Sequence, residues 1–220
     1  MNQNKIVSFC FEYKAEILVS IIFAFCAFAF NTYRVEGDGL LYYGVLEKTL
    51  HIADPESSID NLRSGFMQCG NVFFNIPFYL MGYLAEKAFH LKVNIDGVTL
   101  RTASINIASN FYLLLSLILC VRILKKLNLK NIILPCLCVL FSTSAYTVST
   151  IMPSWNHSVD IFINTLFIYL FLMIELSAQK KYAIALGVVF ISSILVRYFN
   201  FILIIPVIFY LIYKRDINNL

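Results

Sequence analysis

Glu36 and Asp38 stand two residues apart between glycines in Arg34-Val-Glu-Gly-Asp-Gly-Leu-Leu-Tyr-Tyr43, with Tyr42 and Tyr43 one helical turn further on. Three other polar clusters follow. Asn156 and His157 close the stretch Ser154-Trp-Asn-His, with Asp160 three residues later. Arg197 interrupts the apolar "ISSILVRYFN", and Arg101 follows Asp96-Gly97 where the next apolar run opens. Each has an ordinary structural reading. Asp before Gly is turn chemistry, Trp155 suits an interfacial anchor, a lone His is commonly a hydrogen-bonded helix cap, and Arg101 has Asp96 for a partner. Asn156-His157-Ser158 is formally a glycosylation sequon of little specificity. Taken together, these clusters supply carboxylates, arginines, aromatics and a histidine. That set can recognise a lipid phosphate carrying a polar head.

The elements that must position these residues are membrane segments. The 220-residue chain is 60% hydrophobic and 14% charged, with a mean hydropathy of +0.76. Soluble domains are nearer half apolar and a quarter charged. Twenty Phe and thirteen Tyr suit a bilayer and its interfaces. Apolar runs lie near 15–32, 72–90, 102–121, 132–151, 159–178, 183–197 and 201–213. A crossing needs about 20 mostly apolar residues. The 72–90 run is the weakest of the seven, since Asn75, Pro77 and Gly82 interrupt it and Glu86-Lys87 ends it.

Charge placement decides how these runs are threaded. If 72–90 does not cross and the N-terminus is cytoplasmic, the inner loops collect Lys5, Lys14, Arg122, Lys125, Lys126, Lys130, Lys180, Lys181, Lys214 and Arg215. Those ten basic residues face only four acidic ones there, Glu12, Glu16, Glu175 and Asp216. A crossing at 72–90 would turn most of the later basic loops outward, against the positive-inside tendency. The expected fold is therefore an all-α, polytopic transmembrane helical bundle of six spans with both termini inside. It forms a single transmembrane domain over 1–220.

Residues 32–101 then form one long outer loop, and 72–90 is a helix in or dipping into the outer interface. Residues 39–51 read as a short amphipathic helix with Leu40, Tyr43, Leu46 and Leu50 on one face. Ala53-Asp-Pro-Glu-Ser-Ser-Ile-Asp60 breaks it with turn chemistry. Loops this long are usually functional. Polar groups held near hydrocarbon are costly. Arg197, on the side where positive charge is disfavoured, needs an anionic partner, either a protein carboxylate or a lipid phosphate. The six cysteines read as small buried hydrophobes, because Cys136-Leu-Cys138 lacks the further ligands and spacing of a zinc site.

The order of these elements resembles the integral-membrane glycosyltransferases of the GT-C superfamily, the class of the protein mannosyltransferases and the lipid A aminoarabinose transferase. The likeness rests on the acidic "GDG-x-x-YY" turn after the first span, the "IPFYLMGYL" segment, and "DG…R" entering the next span. The polar "PSWNHS" turn and "LVRYFNFILIIP" complete it. The resemblance implies transfer of a sugar from a polyprenyl-phosphate lipid at the outer face of a bacterial inner or plasma membrane, with no nucleic-acid partner. It makes Asp38 the essential acidic residue, with Glu36 beside it. One carboxylate would take the proton of an acceptor hydroxyl. The pair could hold a divalent cation, although the mannosyltransferase-like branch is not thought to depend strictly on one, and no cofactor or protein-bound metal is called for. Tyr42, Tyr43, Asn156 and His157 would contact substrate, and Arg101 and Arg197 would balance the phosphate leaving group.

Members of that family are usually longer, with further spans and often a soluble domain, and "MQCGNVFFN" lacks their more usual Tyr-Pro-x-Gly start. The chain is accordingly expected to be a truncated or minimal form, with a protein partner supplying the missing spans. Two other readings stay open. A non-catalytic scaffold would explain the length. A lipid or solute transporter would need polar residues at mid-span, and few charges lie there.

Overall fold

The computed structural model describes residues 12–30, 38–50, 69–89, 98–142, 147, 157–177 and 179–218. Among them are eight α-helices. They are α1 (Lys14–Phe30), α2 (Asp38–Thr49), α3 (Cys69–Ala88), α4 (Leu100–Lys126), α5 (Ile133–Ser142), α6 (His157–Ser177), α7 (Lys180–Val196) and α8 (Ile204–Asn218). A six-residue 3₁₀ helix, Tyr198–Leu203, joins the last two. The fold is all-α, as the apolar runs predict.

The 27-residue α4 is the axis of the assembly, and local chemistry sets both of its ends. At the start, the Thr99 hydroxyl accepts the Thr102 N–H at 3.2 Å while the Thr102 hydroxyl accepts the Thr99 N–H at 2.8 Å. This reciprocal cap satisfies two donors that the first turn leaves open. At the finish, Asn128 takes a left-handed φ of 56°. Its N–H reaches the Lys125 carbonyl, and the Leu129 N–H reaches that of Leu124. That is a Schellman stop, with asparagine in the place glycine usually takes. Lys125 and Lys126 in the last turn suit the negative end of the helix dipole.

Two neighbours run antiparallel to α4. Along α1, Ala15, Val19, Phe23 and Ala27 form a four-residue stripe against Leu113, Leu117 and Val121. Lys125 Nζ binds both carboxylate oxygens of Glu16, at 2.9 and 2.7 Å, which pins the other end of that pairing. Helix α3 lies along the first half of α4. Its Phe74 carbonyl accepts the Tyr112 hydroxyl at 2.7 Å. A Cβ built on Gly82 would stand 2.7 Å from the Leu100 carbonyl oxygen. Gly70, at the other end of α3, meets the backbone of Leu195 and Val196 at 2.5 Å by the same measure. Only residues without a side chain allow such an approach, and close backbone packing is what holds helices together when their surroundings are as apolar as themselves.

Helix α6 packs on α4 through Val159 and Ile163 against Ala108 and Tyr112, with Val196 of α7 in the same cluster. Phe167 and Leu170 of α6 then meet Leu186 of α7. Among the described residues, two helices, α4 and α6, are long and apolar enough to cross a membrane. The described helices therefore do not themselves supply the six spans expected from the sequence. Helices α1 and α7 have 17 residues each. In the 132–151 run, α5 covers only Ile133–Ser142, and most of the remainder lies outside the described residues. In the 201–213 run the 3₁₀ turn takes the first residues and α8 the rest. The 72–90 run is a continuous 20-residue helix in spite of Pro77, and it is not among the helices apolar enough to cross.

Candidate functional site

Two polar clusters occupy the region where the sequence places its candidate residues. The first joins α2, α3 and α4. Helix α2 opens at Asp38. Its described side chains begin at Tyr42. Leu46 is fully buried with Val72, Tyr79 and Ile105, and Tyr42 and Tyr43 pack on that cluster. The Tyr43 and Tyr79 rings meet edge to face with centroids 5.8 Å apart.

Glu47 lies one turn beyond Tyr43 and is 6% exposed. Its Oε1 accepts the Tyr79 hydroxyl at 3.2 Å and Arg101 Nη1 at 3.0 Å, and the same Nη1 donates to the Tyr79 oxygen at 3.3 Å. From α3, Glu86 Oε2 stands 2.8 Å from Arg101 Nε, while its Oε1 accepts the Arg101 backbone N–H at 3.2 Å. Glu86 thus caps α4 and pairs with the same residue's side chain. One guanidinium is shared by two carboxylates from two other helices. Burial, and after it the negative charge of Glu47 (with Arg101 pulling the other way), pushes the Tyr79 hydroxyl up to about 12. Burial first and Glu47 second raise Tyr43 further still. Both phenols stay protonated, as hydrogen-bond donation to a carboxylate requires.

The second cluster joins the start of α6 to the turn after α7. Asp160 is 8% exposed in the first turn of α6. Its Oδ2 takes Arg197 Nη1 at 3.2 Å, and its Oδ1 accepts Asn200 Nδ2 at 2.6 Å and Asn164 Nδ2 at 3.2 Å. Asn200 Nδ2 also reaches the Ser193 carbonyl at 3.0 Å, which closes the chain reversal on itself. The anionic partner that Arg197 requires is therefore a protein carboxylate. That carboxylate engages Nη1, and the Arg197 side chain stays 39% exposed.

The two arginines belong to different clusters. Val196 packs with Ala108 and Tyr112, which lie about 10–16 Å along α4 from Arg101 at 1.5 Å per residue. Between the clusters is an apolar cavity of about 460 Å³ framed by Val45 of α2, Val72, Phe73 and Ile76 of α3, and Ser192 and Leu195 of α7. His157 begins α6 and is partly buried beside the second cluster. Glu36 and Asn156 lie outside the described residues, as does Asp96, the partner first expected for Arg101.

Glu47, Glu86 and Asn200 are the members that the sequence did not place in a candidate cluster, and Asp160 it placed beside His157 without a role. Glu47 carried a readable signal. It sits four residues after Tyr43 on the apolar face of an amphipathic helix, where a carboxylate requires a partner. Glu86 carried none, because a Glu-Lys pair at a helix end is ordinary. Among the described residues, no group of three His, Cys, Asp or Glu stands close enough to hold a metal ion. Comparison with family models, curated proteins and solved structures finds no match for the chain.

Proposed function

We propose that the chain is a polytopic membrane glycosyltransferase that moves a sugar from a polyprenyl-phosphate lipid to an acceptor hydroxyl at the outer face. Six crossings, over 15–32, 102–121, 132–151, 159–178, 183–197 and 201–213, would carry it through the bilayer with both termini inside. The observation that carries this reading is one arrangement. Helix α2, opened by Asp38, lines an apolar cavity together with Leu195 of α7, which lies two residues before the partly exposed Arg197.

In the reaction, the acceptor oxygen attacks the anomeric carbon while the bond from that carbon to the phosphate oxygen breaks. Asp38 takes the hydroxyl proton, with Glu36 supporting the turn. Negative charge grows on the leaving phosphate, and the guanidinium N–H groups of Arg197 that Asp160 does not use meet it. Asn156, His157 and Tyr42 would hold the sugar. Arg101, neutralised by Glu47 and Glu86, positions α2 rather than the phosphate, and Tyr43 belongs to the same anchor.

The test is transfer from a radiolabelled polyprenyl-phosphate sugar in membranes. Asp38→Asn keeps the size of the side chain and removes the base, so turnover should fall at least about 100-fold with insertion intact. Full activity in Asp38→Asn would end the catalytic assignment. Glu36→Gln should be milder. The neutralised Arg101 favours a second reading, a non-catalytic scaffold in which both polar clusters serve only to hold helices. Such a scaffold would show no transfer in the unaltered protein.

A further inference from the structure

At the basic end of α4, away from both clusters, the chain forms a second kind of crevice. A cavity of about 510 Å³ lies between α1 and α4, lined by Tyr13, Glu16, Ile17, Ser20 and Ile21 on one side and by Ile118 and Arg122 on the other. Its polarity is layered. Tyr13, Glu16 and Arg122 stand at the end where both helices carry charge, and Ile17, Ile21 and Ile118 lie one to two turns deeper. Ile21 is 61% exposed, so the apolar layer faces out of the bundle.

The charges at this end are not equivalent. Lys125 is committed, binding both oxygens of Glu16 and the Glu12 carbonyl at 2.8 Å. The Lys125 ammonium thereby balances the charge of Glu16. Arg122, one turn deeper than Lys126 and lining the cavity, has no carboxylate partner among the described residues. A guanidinium at the rim of an apolar trough, with a phenol and a hydroxyl beside it, fits a phosphodiester whose tails run down the trough.

We infer that this crevice holds one anionic phospholipid of the inner leaflet, its phosphate on Arg122 and its acyl chains along Ile17, Ile21 and Ile118. The leaflet rests on the orientation proposed above, whereas the binding does not.

The test uses the full chain purified in mild detergent, where no leaflet exists, so its outcome is separate from that of the topology and of the transferase reading. Phosphatidylglycerol and phosphatidylcholine are added in turn, and retained lipid is counted by native mass spectrometry. Phosphatidylglycerol should be retained in preference. Arg122→Gln should weaken that retention roughly tenfold, the loss of one charge-assisted contact. Arg122→Lys should recover part of it, and Lys126→Gln, which changes the same net charge outside the crevice, should leave it unaltered. Soluble glycerol phosphate should not compete, because it lacks the chains. Equal retention of the two lipids, unchanged retention in Arg122→Gln, an equal loss in Lys126→Gln, or displacement by glycerol phosphate would each overturn the proposal.

Discussion

Glu47 and Arg101, 54 residues apart in the chain, meet at 3.0 Å with the Glu47 side chain 8% exposed. That pair ties α2 to the start of α4, and it does so in a setting where an unpartnered charge is costly. Removing one partner of a buried pair typically costs about 3–5 kcal/mol. Glu86 remains to neutralise Arg101 when Glu47 is lost, so Glu47→Ala should cost less, roughly 2 kcal/mol. Arg101→Ala leaves two carboxylates without a cation and should cost more. Thermal unfolding in detergent gives the comparison, and a double-mutant cycle isolates the coupling. Equal stability of Arg101→Ala and the unaltered protein would remove the anchor.

Tyr79 gives the same cluster a pH signature. Burial pushes its phenol up to about 12 in the folded protein, against about 10 for an ordinary tyrosine. A raised folded value means that this contribution to stability is complete below pH 10 and is lost as pH climbs from about 10 to 12. Tyrosinate absorbance should therefore appear in two steps, exposed tyrosines first and the cluster later. Glu47→Gln removes a negative neighbour and should bring the late step forward. A single step near 10 in the folded protein would contradict the burial of Tyr79.

Gly82 permits the approach of α3 to α4. A Cβ there would meet Ser104 Oγ at 2.3 Å, which a rotating hydroxyl could relieve, and the Leu100 carbonyl at 2.7 Å, which it could not. Gly82→Val should push the helices apart, with a loss of about 1–3 kcal/mol. Because Glu86 lies one turn further on, the Glu86–Arg101 contact should be lost with it. Gly187 has open space around its position, so Gly187→Ala should be neutral or slightly stabilising by comparison. Equal effects of the two substitutions would show that the packing at Gly82 is not tight.

Arg197 is the arginine expected to serve the phosphate. Arg197→Ala should raise the KM for the polyprenyl-phosphate donor and lower turnover. Arg197→Lys should recover only part, since a point charge replaces a planar fork that Asp160 already grips on one side. Transfer measured against donor concentration separates the two effects. Unchanged donor dependence in Arg197→Ala would leave Arg197 only its structural bond to Asp160.

Orientation follows from the ten-to-four basic excess on the proposed inner loops. In a cysteine-free background, single cysteines at positions 57 and 94 should react with an impermeant reagent added outside, and one at 128 should be protected. Labelling at 128 from outside would invert the arrangement. A structure with α3 spanning the bilayer would do the same for the loops that follow it.

The sequence alone determined the all-helical character, because runs such as 102–121 and 159–178 are too long and too apolar to be anything else. It also foretold α2, whose Tyr43, Leu46 and Leu50 recur at helical spacing and pack together as that spacing requires. It required a partner for Arg197, since a guanidinium between apolar segments must be neutralised. It could not name that partner. Asp160 was legible only as part of a polar turn, and Asn200 only as a residue in an apolar run, until the reversal after α7 folded them together. The same holds for Arg101, for which proximity in the chain offers Asp96 and which Glu47 and Glu86 hold in the fold. Periodicity is a property of neighbours along the chain and can be read from them. Which carboxylate meets which arginine depends on how closely helices approach, and here two glycines on α3 decide that by allowing backbone to touch backbone. Those pairings belong to the tertiary structure.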